Sequence, residues 1–215
     1  MKVYINPGHD RKYDSGAVHT DANGNVDLRE CDVAASIGAK VMKYLVAAGC
    51  DCRLLQSDNL YYDSDYDDRT VPVCEDANDW GADVFVSIHC NACNGNARGT
   101  EVECYDSNSD GGILAKAIQN QLVTSLPVID RGVKEMPGLI VLKHTEMPAV
   151  LVETAFIDND ADAALLENKT CWLHLPMQAC LHLLNYLSAA FSLLLLLLLR
   201  PVRQLRRHVL LSIYS

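Results

Sequence analysis

The sequence predicts an α/β fold of three layers, in which a mostly parallel, twisted sheet of about six strands is flanked by helices. Short apolar runs, typical of buried strands, alternate along the chain with longer segments whose apolar residues recur at helical spacing. This alternation favours strand–helix–strand units, in which consecutive strands of one sheet lie parallel. A chain of 215 residues, 49% hydrophobic and 21% charged, is also long enough to bury a complete core.

The strand predictions depend on apolar runs and on alternating polarity. Residues 84–88 are nearly all apolar, which is typical of a strand buried on both faces. Residues 100–105 alternate between polar and apolar types and predict a half-exposed strand. The six predicted strands comprise residues 2–6, 52–56, 83–89, 100–105, 139–142 and 149–153.

The helix predictions depend on apolar spacing and on stop signals. Gly49 ends the first helical pattern, and Gly81 ends the second in the same way. The predicted helices comprise residues 28–48, 67–80, 112–126 and 161–168, and residues 172–187 are the candidate for a helix that closes the sheet.

The end of the chain differs in composition from the rest. Residues 1–187 are predicted to form one catalytic domain, and residues 188–215 an atypical tail with seven consecutive leucines and an arginine cluster. Residues 181–199 are long enough to span a membrane, but His182 and Asn185 interrupt their apolar character. The predicted closing helix also includes the first residues of this segment, and the remainder is too short for a span. We therefore favour a poorly ordered or non-native tail over membrane contact.

The charge distribution restricts the partners and the place of synthesis. Formal net charge is −10, but the four arginines of the tail leave residues 1–170 with 14 basic against 28 acidic residues. An acidic body argues against nucleic acid as a partner. A strand is predicted almost at Met1, so we expect synthesis in the cytoplasm without a secretory leader.

Candidate chemistry lies where predicted strands end. Pro7 and Gly8 form a tight turn that presents His9, while His89 and Glu153 end two buried strands. Each residue alone is more often structural than functional. Together they are expected to meet, because sites of open α/β sheets lie beyond the carboxyl ends of the strands.

Zinc in hydrolases takes three protein ligands and a water molecule. His9 and His89 supply two, and Glu30, at the start of the first long helix, is the best candidate for the third. Glu30 has an alternative role as an acid that stabilises a helix amino terminus. Glu153 then remains as the general base for a water molecule activated by zinc.

The nine cysteines offer a competing metal site. Cys90 and Cys93 form a two-residue-spaced pair directly after His89, but a structural zinc site needs a second such pair. Cys50 and Cys52 have the wrong interval, and Cys90 is expected to point away from His89 because strand faces alternate. We expect mostly reduced, buried thiols and no cysteine zinc site.

Ordered motifs cover most of the chain, from Lys2 to Asn168. They are Asn6-Pro7-Gly8-His9-Asp10, Asp14-Ser15-Gly16-Ala17, Leu28-Arg29-Glu30-Cys31-Asp32, Asp68-Arg69, Ala77-Asn78, Ser87-Ile88-His89-Cys90-Asn91-Ala92, Asp130-Arg131-Gly132-Val133-Lys134, Pro148-Ala149-Val150-Leu151-Val152-Glu153 and Phe156-Ile157-Asp158-Asn159. In these motifs the sequence resembles the zinc-dependent N-acetylmuramoyl-L-alanine amidases with an amidase-3 catalytic domain. Cys90 stands where that family usually has alanine, and the tail has no counterpart.

The resemblance implies that His9, Glu30 and His89 bind Zn²⁺ and that Glu153 is the catalytic acid/base. It also implies the substrate, which is the amide between N-acetylmuramic acid and L-alanine in peptidoglycan. A lytic enzyme of the endolysin or autolysin kind would then act on the bacterial cell wall after release, as phage and prophage lysins do. Two alternatives remain: another zinc amide hydrolase of the carboxypeptidase kind, and a wall-binding domain without turnover. The sequence carries no signal for an oligomeric state.

Overall fold

The structure, a computed structural model, describes residues 1–61 and 71–167. Six strands form the main sheet and two form a separate hairpin. In chain order they are β1 (Lys2–Pro7), β2 (Val18–Thr20), β3 (Val26–Arg29), β4 (Asp51–Leu54), β5 (Val84–Asn91), β6 (Thr100–Cys104), β7 (Asp130–Glu135) and β8 (Ala149–Phe156). The main sheet has the order β4-β1-β5-β8-β6-β7, and the hairpin pairs β2 with β3.

Five helices are present in the described residues. They are α1 (Glu30–Ala47), α2 (Val73–Trp80), α3 (Asp110–Ser125), α4 (Ile140–Lys143) and α5 (Asp160–Glu167). The left-handed backbone of Gly81 ends α2, as its position predicted. The hydroxyl of Ser109 caps α3 by accepting from the Gly112 amide.

Strand directions divide the sheet into two parts. β4, β1, β5 and β8 pair in parallel, whereas β6 pairs antiparallel with β8 and parallel with β7. The carboxyl ends of β1, β5 and β8 therefore share one edge with the amino ends of β6 and β7. The first part confirms the prediction of a mostly parallel sheet, and the reversed pair decides which side chains reach the site.

Helices cover both faces of the sheet. Gly38 of α1 packs against Pro7 and Ile5 on one face. Tyr4 points to the other face, because neighbouring residues of a strand alternate, and it lies in a buried cluster with α2 and α4. In that cluster the rings of Tyr4 and Phe85 stack with centroids 5.6 Å apart. These layers confirm the predicted three-layer α/β class.

The prediction of a strand at residues 139–142 is wrong. Residues 140–143 form the helical turn α4, in which the His144 amide donates to the Ile140 carbonyl. The turn buries Val141 and Leu142 against the face that carries Tyr4. A run of four apolar residues fits a buried turn as well as a strand, so the pattern alone does not decide between them.

The prediction of a strand at residues 100–105 is confirmed by β6, but its predicted half exposure is wrong, since all five residues of β6 are buried. Glu101 and Glu103 share one face of β6, and both are buried there, with 7% and 8% of their surface exposed. The alternation therefore marks a buried acidic face. Strand β7 and the β2–β3 hairpin had not been predicted from the sequence.

Several sequence predictions fall outside the described residues. They are the start of the helix at 67–80, the helix at 172–187, the boundary between 187 and 188, and the leucine-rich tail. Within residues 1–61 and 71–167, none of the helices has the length and apolar character needed to span a membrane.

Candidate metal centre

Three elements bring the predicted ligands to one edge of the sheet. His9 follows β1, His89 lies near the end of the neighbouring strand β5, and Glu30 is the first residue of α1. The Glu30 amide donates to the Ala17 carbonyl and the Gly8 amide to the Ile88 carbonyl, so backbone bonds fix the segments that carry all three.

The donor atoms of His9, Glu30 and His89 converge. Nε2 of His9 lies 3.1 Å and Nδ1 of His89 lies 3.0 Å from the same oxygen, Oε1 of Glu30. All three donor atoms lie within 4.8 Å of one another, and this is the one such group of metal-ligating side chains found in residues 1–61 and 71–167. The arrangement fits the donor set expected for a catalytic metal ion.

Glu30 is buried, with 3% of its surface exposed, and stays ionised. Burial alone would raise its pKa, but hydrogen bonds from His89 and His9 outweigh burial and lower the pKa to about 2. The Cys90 and Ala17 amides donate to its two oxygens at 2.9 Å. A fixed negative charge therefore lies between the two imidazoles.

His9 is held from its other ring nitrogen. Its Nδ1 lies 2.7 Å from Oδ2 of Asp14, whose Oδ1 accepts from the Gly16 amide at 3.0 Å. Burial lowers the pKa of His9, but the hydrogen bonds with Glu30 and Asp14 outweigh it and raise the pKa to about 9. A carboxylate on Nδ1 keeps the proton there and leaves Nε2 to act as a ligand.

The backbone around His9 is unusual in two respects. His9 has φ of 63°, a left-handed conformation that residues other than glycine seldom adopt. Gly8 and Gly16 lie directly against the site, where a Cβ on Gly8 would overlap the His89 ring and one on Gly16 would press on His9 and Glu30. Both glycines are thus required for close packing of the ligands.

Glu153 lies beside this group on the neighbouring strand. Its Cα pairs with that of His89 in the β5–β8 register, so both side chains lie on the same face. Burial, then the charges of Glu30, Glu103 and Glu101, raise the pKa of Glu153 well above its usual value. Its buried Oε2 has no hydrogen-bond partner among the described residues.

His89 and Glu153 begin a row of polar side chains, the polar row, which continues onto the reversed strands β6 and β7. Glu101 of β6 pairs in register with Glu153, and its two oxygens accept from Asn91 Nδ2 and Arg131 Nε, each at 2.8 Å. Sequence reasoning had assigned no role to Asp14, Glu101 or Arg131. Asp14 follows the turn at His9 by only five residues, which was the available signal.

Within residues 1–61 and 71–167, the cysteines belong to no group of converging metal-ligating side chains. Cys90 is buried on the face away from His89 and lies 3.3 Å from the Thr154 hydroxyl, as its position on the strand predicted. Cys93 is exposed. All seven cysteines in the described residues are free thiols, while Cys171 and Cys180 lie outside those residues.

Two imidazoles and a carboxylate at the rim of an α/β sheet, next to a half-buried glutamate, define an α/β protein with a candidate catalytic metal centre. The model of the amidase-3 family, described as N-acetylmuramoyl-L-alanine amidase, matches residues 3–173. Because this match covers well over half of the chain, the protein belongs to that family, as the motifs predicted.

Individual relatives agree with this assignment. The chain is 36% identical to the N-acetylmuramoyl-L-alanine amidase LytC of Bacillus subtilis (strain 168) over 168 residues, which are 77% of this chain and 31% of that protein. It is 36% identical to the endolysin of Bacillus phage SPP1 over 171 residues, covering 77% of this chain and 58% of the endolysin. The chain thus spans less than two thirds of either relative.

A solved structure agrees with the fold. An N-acetylmuramoyl-L-alanine amidase of Nostoc punctiforme superimposes with a TM-score of 0.71 and 29% identity, covering 87% of this chain and 97% of that one.

Proposed function

We propose that the protein hydrolyses the amide bond between N-acetylmuramic acid and L-alanine in peptidoglycan, with Zn²⁺ held by His9, Glu30 and His89. The observation that carries this proposal is the convergence of three ligand atoms beside Glu153, whose buried Oε2 has no hydrogen-bond partner among the described residues. Family membership supports the same reaction.

The residues present fit zinc better than a hard cation. Two imidazole nitrogens with one carboxylate are typical of zinc hydrolases, whereas calcium and magnesium take oxygen ligands. Three protein ligands leave a position for water and substrate. When bound, zinc supplies a Lewis acid that polarises the scissile carbonyl and lowers the pKa of water.

Glu153 has the properties of a proton carrier. Burial and the nearby carboxylates raise the pKa of Glu153, which favours its protonated form and helps it to hold a proton between the two steps of general acid/base catalysis. It takes a proton from the attacking water and returns a proton to the leaving nitrogen of alanine. The C–N bond breaks, and the products are a lactyl carboxylate and a free alanine amino group.

We further propose that the bacterial cell wall is the place of action. Support comes from the relatives, which include a Bacillus subtilis amidase and a phage endolysin. An endolysin-like or autolysin-like role is consistent with hydrolysis of this amide in the wall.

The reaction is tested by incubating the full chain with purified peptidoglycan and measuring new amino-terminal alanine. We expect a chelator to stop its release and added zinc to restore it. Glu153→Ala should keep zinc and lose activity, while His9→Ala should lose both. His19→Ala, which removes a histidine paired with Asp27 outside the site, is the matched control.

Other outcomes point to the alternatives. Release of a carboxy-terminal amino acid without new alanine amino groups would identify a carboxypeptidase-like enzyme. Sedimentation with peptidoglycan without any product would identify a wall-binding domain. Normal turnover by Glu153→Ala would overturn the role given to Glu153.

A further inference from the structure

Four neighbouring strands place one polar row across the active edge of the sheet. The register pairs His89 of β5 with Glu153 of β8, and Glu153 with Glu101 of β6. Between β6 and β7 the register shifts, because Thr100 lies opposite Asp130 and Val102 lies opposite Val133. Arg131 and Gly132 of β7 therefore both face Glu101, and Arg131 ends the row.

The shift is built into the backbone. Gly132 has φ of 77°, a left-handed conformation that favours glycine and accommodates the additional residue of a bulge. Bulges commonly redirect a side chain next to an active site. Here the bulge lets Arg131 Nε reach Glu101 Oε2 at 2.8 Å.

Arg131 is fixed on two sides and open on a third. Its guanidinium lies 4.8 Å from the centroid of the Phe156 ring, while Glu101 is buried and is itself held by Asn91. The Arg131 side chain remains 36% exposed. Only Nε is bonded to Glu101, so the two terminal amino groups remain as donors in a planar fork, the geometry that binds a carboxylate.

The charge of Arg131 matters because the rest of this row is acidic. Glu153 and Glu101 lie next to each other, Glu103 lies two residues further along β6, and Glu30 lies at the metal centre. An anionic substrate would be repelled there. Arg131 is the basic side chain of the row, placed where it offsets that repulsion.

The spacing indicates how far this cation lies from the reacting bond. Arg131 is two strands from Glu153, and strands are about 4.8 Å apart, which gives roughly 10 Å. An extended peptide advances about 3.4 Å per residue, so the second amino acid beyond the scissile bond comes within reach of the arginine side chain.

We propose that Arg131, held by Glu101, binds the carboxylate of the second amino acid of the stem peptide. This inference depends on the proposed amidase function and adds a specificity determinant to it. The α-carboxyl group of that amino acid is free in some peptidoglycans and amidated in others, so the contact would make the enzyme distinguish the two.

The test uses matched soluble substrates with the full, zinc-loaded chain. One is the muramyl tripeptide MurNAc-L-Ala-γ-D-Glu-L-Lys, and its twin carries an α-carboxamide on the D-Glu. A third substrate is amidated at the terminal lysine carboxylate only. We expect the first and third to be cleaved with kcat/KM about ten- to a hundredfold above the second, mainly through KM.

Arg131→Gln should reduce this preference to nearly one, and Arg131→Lys should restore part of it. The matched control is Arg53→Gln, because Arg53 lies on the opposite edge strand and makes the same two types of contact. It pairs with Asp76 at 2.7 Å, and its guanidinium lies 4.9 Å from the centroid of the Trp80 ring. Arg53→Gln should keep the preference of the wild type.

A second measurement does not depend on turnover. Titration of the wild type with the product peptide L-Ala-γ-D-Glu-L-Lys should show binding about tenfold tighter than that of its α-carboxamide, and Arg131→Gln should remove the difference. If Arg131→Gln retained the full preference in kinetics and binding, Arg131 would be a structural counter-ion only. Preference for the terminal lysine carboxylate would also overturn the assignment, whereas cleavage of no substrate by the wild type would overturn the proposed function itself.

Discussion

The contact between Asp14 and His9 can be tested by the substitution Asp14→Asn, which removes one charge and changes little in shape. The introduced asparagine is isosteric with the native aspartate, and its oxygen can still accept from the Gly16 amide as Oδ1 of Asp14 does. Its amide nitrogen then faces Nδ1 of His9. Because that amide nitrogen donates, Nδ1 must accept, the ring proton moves to Nε2, and the ligand position is blocked.

The magnitude follows from the exposure of the pair. A hydrogen bond to a charged group contributes about 1.5–3 kcal/mol. Asp14 is 49% exposed, so water screens part of this interaction and we use about 1–2 kcal/mol. We therefore expect zinc affinity to fall about five- to thirtyfold, at the lower end of the range for outer partners of metal-bound histidines.

The assay is competition for zinc between the protein and a chromophoric chelator of known affinity. Asp27→Asn is the matched control, since Asp27 lies 2.7 Å from Nδ1 of His19 in the same type of contact but outside the candidate centre. Zinc affinity should be unchanged in that variant. Equal affinity in wild type and Asp14→Asn would refute the argument that Asp14 fixes the ring proton of His9.

Three further predictions concern the site and its surroundings. Gly8→Ala should displace His89 and lower turnover about a hundredfold, while Gly138→Ala, where a Cβ meets nothing, should not. In the metal-free protein, the raised pKa of Glu153 makes the free energy of unfolding fall as pH rises above about 4.3. Glu153→Gln should abolish this fall, as measured by urea unfolding at a series of pH values. In the zinc-loaded protein the same substitution should lower turnover about 10²- to 10⁴-fold. Hydrogen bonds to Asp27 and Asp160 raise the pKa of His19, so the contribution of His19 to the stability of the folded protein is complete below pH about 6.5 and is lost at higher pH. His19→Gln should therefore flatten that part of the dependence of the free energy of unfolding on pH.

The parallel part of the fold could be predicted from the sequence because its strands are strongly apolar. β5 and β8 contain buried runs that lead to His89 and Glu153, although the strands continue beyond these residues to Asn91 and Phe156. β1 is followed by a turn that fixes His9. Once three strands are parallel, their ends must meet at one edge, and the side chains that follow them meet there too. Glu30 was the best candidate for the third ligand, but the family resemblance was needed to assign it, since an acid in a first helical turn has an ordinary role of its own.

Local patterns failed where the environment, and not the residue type, decides the structure. α4 is a buried helical turn whose apolar residues also fit a strand. The polar residues of β6 alternate as those of a half-exposed strand would, but every residue of this strand is buried, and the charges of Glu103 and Glu101 raise the pKa of Glu153. No periodicity distinguishes a solvated acid from one that is buried beside a catalytic group.

The reversal of β6 and β7 explains why half of the polar row remained hidden. A rule that looks beyond the carboxyl ends of strands finds His89 and Glu153, but Glu101 and Arg131 lie at the amino ends of their strands. Those amino ends reach the same edge only because β6 runs antiparallel to β8. The reversal thus adds two groups to the edge: a buried carboxylate that raises the pKa of Glu153, and a guanidinium that offsets the acidic surroundings. In a wholly parallel sheet, loops would have to supply both groups.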